Sequence, residues 1–219
     1  MALSKEIVEA PRSVDRGAEA RKARRRLYPV SVVYSLYALT LLTVALGRRD
    51  RLAAIAFFLL GGAAWTALEY WVHRYILHGR FPDGPGALKH LLHVLFDHLH
   101  VEHHKRPWDG NHVNGTLKDT GPFVALLILA SWAFPVATAP VFVAGLMQFY
   151  VLEEWVHHSV HFCNFKGHYF QYIKRHHLYH HSPRGSEVGY GLTSGFWDVV
   201  FGTRIAEGKR RALYSGLRT

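Results

Sequence analysis

The sequence predicts an all-α integral membrane protein with four transmembrane helices and a cytoplasmic helical cap. Three observations indicate this fold class. Long stretches lack any charged side chain, basic residues are concentrated before the first of them, and ten of the 17 histidines form four short clusters. The chain has 219 residues, 49% of them hydrophobic, which would also suit one soluble domain. The fold class therefore depends on how the apolar residues are distributed.

Three uncharged stretches define the predicted membrane spans. Residues 29–47 and 52–68 form the first two, and residues 121–148 form a third that contains Pro135 and Pro140. A helix needs about 20 residues to cross a bilayer, and somewhat shorter spans are tolerated. We therefore predict spans at 29–47, 52–72, 121–138 and 140–157, with the last two joined by a hairpin turn at 134–140.

Lysine and arginine indicate the orientation. The segment before the first span lacks the apolar core of a signal peptide and carries eight basic residues: Lys5, Arg12, Arg16, Arg21, Lys22, Arg24, Arg25 and Arg26. Cytoplasmic flanks of membrane helices are enriched in Lys and Arg. We expect residues 1–28 to be a basic cytoplasmic segment and residues 29–219 a single membrane-embedded domain. The loop with Arg48, Arg49 and Arg51 opposes this orientation, but eight basic residues outweigh three.

Charge and cysteine content exclude several classes of protein. The formal net charge of +10 is better explained by basic loops against anionic lipid than by nucleic-acid binding, so no nucleic-acid partner is expected. One cysteine, Cys163, cannot form an intramolecular disulfide or hold an iron–sulfur cluster. The sequence also lacks the GxGxxG and GxxxxGK[ST] phosphate-binding motifs.

The four histidine clusters have the spacings HX4H, HX2HH, HX3H and HX2HH. Imidazoles concentrated near lipid need a partner, and a transition metal is the commonest strong one. Ten nitrogen ligands exceed the needs of one ion, so the count predicts a dinuclear site at the cytoplasmic end of the spans. The predicted ligands are His73, His78, His100, His103, His104, His157, His161, His177, His180 and His181.

One spacing does not fit a straight helix. Residues i and i+5 diverge by about 140° on an α-helix, so His73 and His78 need a bend or different metals. The i,i+4 pair His157 and His161 shares one helix face, and each HX2HH cluster would do so if helical.

Several other side chains are near enough in sequence to orient the ligand imidazoles. The carboxylates are Glu69, Asp97, Glu102, Asp109, Glu153 and Glu154, and the histidines adjoining the clusters include His158 and His176. Of these, we single out Glu154, Asp109, His158 and His176 as candidate partners of the ligands. Imidazole ligation suits iron, zinc or copper, and iron would best explain neutral ligands that support O2 chemistry. Zinc can occupy the same nitrogens in purified protein.

At these residues the sequence resembles the fatty acid hydroxylase and sterol desaturase superfamily of membrane di-iron enzymes, most of all its fatty acid 2-hydroxylase branch. The ordered set of motifs reaches from about residue 69 to residue 204. The matching segments are 73–78, 100–110, 150–161, 177–181, 189–194 (GYGLTS) and 197–203 (WDVVFGT).

The resemblance implies that all ten clustered histidines bind two iron ions, and that an acyl chain enters from the membrane. Two departures matter. Val101 stands where the 2-hydroxylases usually have glycine after the first histidine of HX2HH, which loosens the substrate assignment. Residues 1–28 are too few, and contain no haem-ligand histidine, to be the cytochrome b5 domain of many eukaryotic relatives.

These observations predict a non-haem di-iron membrane monooxygenase that uses O2 to hydroxylate a lipid. The resemblance implies that the hydroxyl is placed at C2 of a fatty acyl chain, free or in a sphingolipid. A sterol or carotenoid hydroxylase or desaturase of the same superfamily is the nearest alternative. A transition-metal transporter or metal-storing membrane protein is the alternative from another class. The expected location is a bacterial inner membrane or the endoplasmic reticulum membrane, with the active site on the cytoplasmic side.

Electrons are expected from an external ferredoxin, or from a cytochrome b5-type donor with its reductase. Such a donor would dock on a cytoplasmic face that carries Lys105, Arg106, Lys174, Arg175 and Arg184. Opposite charges would steer an acidic donor toward this face.

Overall fold

The computed structural model describes residues 7–79, 81, 84–94, 98–215 and 217, apart from the side chains of residues 98 and 99. These residues form helices, turns and irregular segments, and no strand occurs among them. The all-helical prediction is therefore confirmed for the described part of the chain. The helices are α1 Arg16–Leu46, α2 Arg51–Trp71, a π-helix Val72–Leu77, α3 Ala87–Leu92, α4 His98–Lys105, α5 Leu117–Ser131, α6 Ala139–Phe162, α7 His168–His180, α8 Phe196–Val200 and α9 Glu207–Leu213.

The first helix begins well before the predicted span. It starts at Arg16 and contains Pro29, so the predicted boundary at residue 28 lies within the helix. The Asp15 carboxylate accepts hydrogen bonds from the backbone N–H groups of Gly17 and Ala18, at 2.9 and 3.0 Å, and so caps the helix. The next residues of the helix are rich in Ala, Arg and Lys, which favour helix formation. The charged segment therefore extends the apolar helix rather than preceding it.

Within the described part of the chain, two helical stretches are long and apolar enough to cross a membrane, Arg16–Leu46 and Arg51–Leu77. Only 28% and 22% of their most apolar windows are buried in the protein. Large apolar side chains such as Leu39 and Leu52 point outward, with exposed fractions of 64% and 84%. Contiguous exposed apolar surface of this kind is rare on soluble monomers and typical of membrane or partner contacts. The outward faces are therefore suited to lipid.

The chain divides into two compact units. The first, which we call the apolar unit, contains residues 24–68 and 114–155. Its largest buried cluster joins Val30 and Tyr34 of α1 to Val143, Met147, Tyr150 and Val151 of α6. Close approach of α2 to α6 depends on Gly61 and Gly145, because a Cβ at either position would overlap the partner backbone.

The second unit, which we call the histidine unit, contains residues 1–23, 69–113 and 156–219. One buried cluster joins Trp108, Val160, Ile173 and Leu178, and residues 7, 10 and 14 of the N-terminal segment pack against it. The Arg16 guanidinium lies 5.1 Å from the centroid of the Trp108 ring and donates a hydrogen bond to the carbonyl of His161 at 2.9 Å. The N-terminal segment is thus part of this unit, and all ten clustered histidines lie in the same unit.

Candidate metal centre

The ten predicted ligands converge in two groups of five. In each group the five ligand atoms lie within 4.8 Å of one another. Group one contains His73, His78, His100, His104 and His180, and group two contains His103, His157, His161, His177 and His181. The groups are neighbours, since the ring centroids of His104 and His181 are 4.3 Å apart. The four clusters therefore converge, as two neighbouring groups of histidines.

The π-helix at Val72–Leu77 resolves the HX4H spacing. The backbone N–H of His78 donates to the carbonyl of His73 at 3.0 Å, the i→i+5 bond that defines a π turn. This wider turn brings residues five apart close together, whereas an α-helix would separate them. The His73 and His78 rings lie 5.0 Å apart, in the same group. Of the two solutions that the sequence allowed, the chain uses a local change of helix geometry.

Each HX2HH motif contributes to both groups. In α4, His100 and His104 belong to group one and His103 to group two. At the end of α7 the allocation is reversed, because His177 and His181 belong to group two and His180 to group one. The i,i+4 pair faces one group, while the third histidine is rotated toward the other. One short helix can therefore hold ligands for two metals.

The ring nitrogens point at one another within each group. In group one, Nε2 of His78 lies 2.9 Å from Nε2 of His180 and 3.0 Å from Nε2 of His100. In group two, Nε2 of His177 lies 3.0 Å from Nε2 of His161 and 2.9 Å from Nε2 of His181. Two nitrogens on opposite sides of a metal are about 4.2 Å apart when each bond is about 2.1 Å. The observed separations are shorter than this upper limit, so the nitrogens are close enough to bind one ion. Both groups have the ligand type and spacing to hold a metal ion.

Burial keeps these imidazoles neutral. Desolvation, reinforced by neighbouring His78, lowers the pKa of His104 to about 3, and desolvation lowers the pKa of His78 to about 4. Desolvation also lowers the pKa of His103 and His180 well below the usual range, with further contributions from nearby imidazoles. Neutral imidazole is the form that binds metal. The buried Nε2 of His104 has no hydrogen-bond partner among the described residues, as expected for a nitrogen aimed at an ion.

Two backbone carbonyls orient ligands of group one. Nδ1 of His73 lies 2.5 Å from the carbonyl oxygen of Tyr190, and Nδ1 of His180 lies 2.8 Å from that of Val188. A hydrogen bond at Nδ1 selects the tautomer that leaves Nε2 free for metal. The sequence predicts only side chains for this role, so these carbonyls are not among the predicted partners. The only available signal was the glycine-rich segment around Gly189.

The candidate orienting side chains have other described partners. Glu154 accepts hydrogen bonds from Asn114 Nδ2 at 2.6 Å and from the N–H of Gly115 at 3.4 Å. Asp109 lies 3.1 Å from His112 Nδ1 and also pairs with Arg106. His158 is buried against Phe162, and His176 lies between the Tyr214 hydroxyl and Asp198.

The remaining carboxylates near the clusters also have partners. Glu69 binds the Leu192–Thr193 backbone, Glu102 pairs with Lys105 and Arg106, and Glu153 accepts from Trp65 Nε1. Asp97 lies outside the described residues.

Fold and site together define a class: helical proteins with outward apolar helices and two adjacent five-histidine groups suited to metal ions. Comparison with known families then identifies the family. The fatty acid hydroxylase family model matches residues 58–203, which include every one of the ten histidines. The chain belongs to the fatty acid hydroxylase family.

Individual relatives agree with this assignment. The fatty acid 2-hydroxylase of Rattus norvegicus is 33% identical over 155 residues, which are 70% of this chain and 40% of the relative. The dihydroceramide fatty acyl 2-hydroxylase FAH2 of Arabidopsis thaliana is 36% identical over 149 residues, 65% of this chain and 58% of the relative. This chain therefore spans about half the length of these curated relatives.

A solved structure shares the fold. It is described as full-length scs7p with only the hydroxylase domain visible, and it superimposes with a TM-score of 0.68 at 27% identity. The match covers 82% of this chain and 67% of the other. The resemblance seen in the sequence is confirmed at the level of both family and fold.

Proposed function

We propose that this protein is an O2-dependent di-iron hydroxylase that places a hydroxyl group at C2 of a fatty acyl chain, free or in a sphingolipid. Two adjacent groups of five buried histidines, in a chain of the fatty acid hydroxylase family, are the observation that carries this proposal. We assign all ten histidines as ligands, five to each iron. The names of the rat and Arabidopsis relatives support C2 as the position of attack.

The chain's own residues would prepare the site for this chemistry. A bound iron pair would supply the two-electron activation of O2. Burial of the imidazoles keeps them neutral, and the carbonyls of Tyr190 and Val188 hold two of the rings in place. Buried surroundings also exclude water, which limits side reactions of the activated oxygen.

The substrate assignment predicts a specific product. Expression in a host that lacks 2-hydroxy lipids should yield 2-hydroxylated acyl chains, because the rat and Arabidopsis relatives are named as fatty acid or fatty acyl 2-hydroxylases. The measurement is mass spectrometry of total lipids after growth under 18O2, with a His104→Ala variant as the inactive control. Labelled oxygen should appear at C2. Hydroxylated sterol or carotenoid with unchanged acyl chains would instead favour the alternative substrates that Val101 leaves open.

We also propose four membrane spans with the histidine unit on the cytoplasmic side. Beyond the two long apolar helices, α5 carries Leu126 and Leu129 with exposed fractions of 66% and 72%. With 15 residues, α5 is about 22 Å long, short for a crossing but close to the tolerated range. The turn between α5 and α6 lies at residues 132–138, close to the predicted hairpin.

This topology predicts the labelling of single cysteines. With Cys163 replaced first, cysteines at Lys105 and Arg184 should react only from the cytoplasmic side. Cysteines at Arg49 and Phe134 should react only from the other side. Labelling of Lys105 and Arg184 from opposite sides would separate the two HX2HH motifs across the membrane and contradict a single dinuclear site.

A separate electron donor completes the proposal, and the structure changes which cations suit its docking. Lys174 donates to the carbonyl of Cys163 at 2.5 Å, and Arg175 donates to the carbonyls of Leu213 and Ser215 at 2.8 and 3.0 Å. Both cations therefore hold the backbone in place. Arg184 is exposed, and the Lys105 side chain is 64% exposed, so these two are better placed to meet an acidic ferredoxin or cytochrome.

Reconstituted activity should require an added donor and should fall as salt rises, because the Debye length is about 8 Å at physiological ionic strength. Lys105→Gln and Arg184→Gln should raise the donor's apparent KM and leave kcat nearly unchanged. Arg49→Gln, in the loop proposed to lie outside, is the matched control and should behave like wild type. Turnover of purified protein on NAD(P)H and O2 alone would contradict the need for a separate donor.

A further inference from the structure

Residues 188–193, which we call the carbonyl segment, lie against group one. This segment supplies both carbonyls that accept hydrogen bonds from group-one imidazoles, Val188 to His180 and Tyr190 to His73. The Tyr190 ring also packs on the group, with its centroid 5.1 Å from that of His78 and 5.2 Å from that of His180. The path of this segment therefore sets the orientation of group-one ligands.

Two buried carboxylates hold the carbonyl segment by four consecutive backbone N–H groups. Asp198 accepts from Tyr190 at 2.8 Å and from Gly191 at 3.0 Å. Glu69 accepts from Leu192 at 2.5 Å and from Thr193 at 2.8 Å, and its second oxygen accepts from the Thr193 hydroxyl at 2.7 Å. Hydrogen bonds to a carboxylate are about twice as strong as neutral ones. The two carboxylates therefore fix a segment that neither a helix nor a sheet holds in place.

The two carboxylates are embedded in the histidine unit. Asp198 is 0% exposed and Glu69 is 4% exposed. The Thr203 hydroxyl donates to Asp198 at 2.7 Å, and the Tyr70 hydroxyl lies 2.8 Å from that of Thr203. Arg74 in turn donates to the Tyr70 hydroxyl at 2.7 Å. A buried carboxylate is costly unless it is hydrogen-bonded, and these contacts offset that cost while holding both carboxylates in place.

The backbone conformation also favours this arrangement. Gly189 has φ +70°, a left-handed conformation that other residues rarely adopt, and it lies between the two carbonyls that face His180 and His73. Its N–H donates to the carbonyl of Thr203 at 2.9 Å. The turn at Gly189 allows successive carbonyls to reach two different rings, while Asp198 and Glu69 fix the backbone of residues 190–193.

Four of the five histidines of group two lack an equivalent support among the described residues. The buried Nδ1 atoms of four of its histidines have no hydrogen-bond partner within the described part of the chain: His103, His161, His177 and His181. Displacement of the carbonyl segment would therefore disturb the ligands of group one more than those of group two.

We propose that Glu69 and Asp198 are positioning residues that hold the carbonyl segment and thereby set the metal affinity of group one, but not of group two. Neither carboxylate is assigned as a ligand. The inference depends on the proposed metal-binding role of the histidines and extends it to residues that act through the backbone.

The test measures zinc binding to purified, metal-stripped, full-length protein in detergent, with zinc alone as the probe and a colorimetric chelator as competitor. Wild-type protein should bind two zinc ions tightly. Glu69→Ala and Asp198→Ala should each retain one tight site and weaken the other by about 10–100-fold, the usual effect of losing support behind a ligand. Glu69→Gln and Asp198→Asn retain an acceptor oxygen and should weaken it less. Glu207→Ala, an exposed carboxylate of the same unit, is the matched control.

Double variants locate the weakened site. Asp198→Ala combined with His177→Ala should leave no tight zinc, because each change affects a different group. Combined with His180→Ala, it should leave one, because both changes affect group one. Wild-type affinity at both sites in Glu69→Ala and Asp198→Ala would overturn the inference. Equal weakening of both sites with a lower unfolding temperature would also overturn it and show a merely structural role. Failure of wild-type protein to bind two zinc ions would instead contradict the proposed function.

Discussion

Replacing His104 with alanine is expected to abolish lipid hydroxylation and to remove one metal ion per chain. Mutation of a residue that hydrogen-bonds to a metal ligand typically lowers metal affinity or activity by about 10–100-fold. Loss of the ligand itself should therefore lower turnover by at least about 100-fold. The neighbouring His103→Ala change should be equally damaging through the other metal, because His103 belongs to group two and His104 to group one. Elemental analysis of purified protein and lipid mass spectrometry are the two measurements.

Controls separate loss of a ligand from loss of any histidine. His90 and His168 are exposed and lie outside both groups, so His90→Ala and His168→Ala should keep two metals and near-normal turnover. Combining His103→Ala with His104→Ala should remove both ions, whereas combining His100→Ala with His104→Ala should remove only one. Full turnover by the His104→Ala protein would end the assignment of these groups as the active site.

Replacing Glu154 with alanine is expected to destabilise the protein strongly without removing a metal ion. Its buried carboxylate accepts a 2.6 Å hydrogen bond from Asn114, whose amide also donates to the Glu154 carbonyl. Removing a buried acceptor leaves a donor unpaired and opens a cavity, which together cost about 3 kcal/mol. For a chain of this size that corresponds to a fall of roughly 6–12 °C in apparent Tm, measured by thermal unfolding in detergent.

Two comparisons make this prediction specific. Glu154→Gln keeps the acceptor oxygen and should lose about half as much stability. Glu102→Ala removes a surface partner of Lys105 and Arg106 and should leave the apparent Tm close to that of wild type. Metal content should remain at two in all three proteins. Loss of metal from Glu154→Ala at unchanged stability would instead support the sequence-based prediction that Glu154 supports a ligand.

Much of the site could be predicted from local spacing. Periods of three and four residues place side chains on one side of a helix whatever its surroundings, and all ten predicted histidines do converge. The uncharged stretches likewise predicted the two helices that are apolar and long enough to cross a membrane. Spacing alone left two solutions open for His73 and His78, a bend or different metals, because an i,i+5 pair has no shared face on an α-helix. There the structure contains a π-helix instead.

The sequence by itself determined that the chain is helical and has apolar stretches suited to a membrane. It also determined which ten histidines gather and which family the chain resembles. The helical and apolar character and the grouping of histidines depend on composition and short-range periodicity, whereas the family was indicated by the resemblance of the ordered motifs. Tertiary structure alone decided how the histidines divide. Contacts such as His78 with His180 join residues 102 positions apart, and adjacent histidines in one motif face different groups. It also decided that Glu69 and Asp198 bind the backbone of residues 190–193, since a carboxylate's partner depends on what the fold brings near it. Residue type determines what a side chain can bind, and packing determines what it does bind.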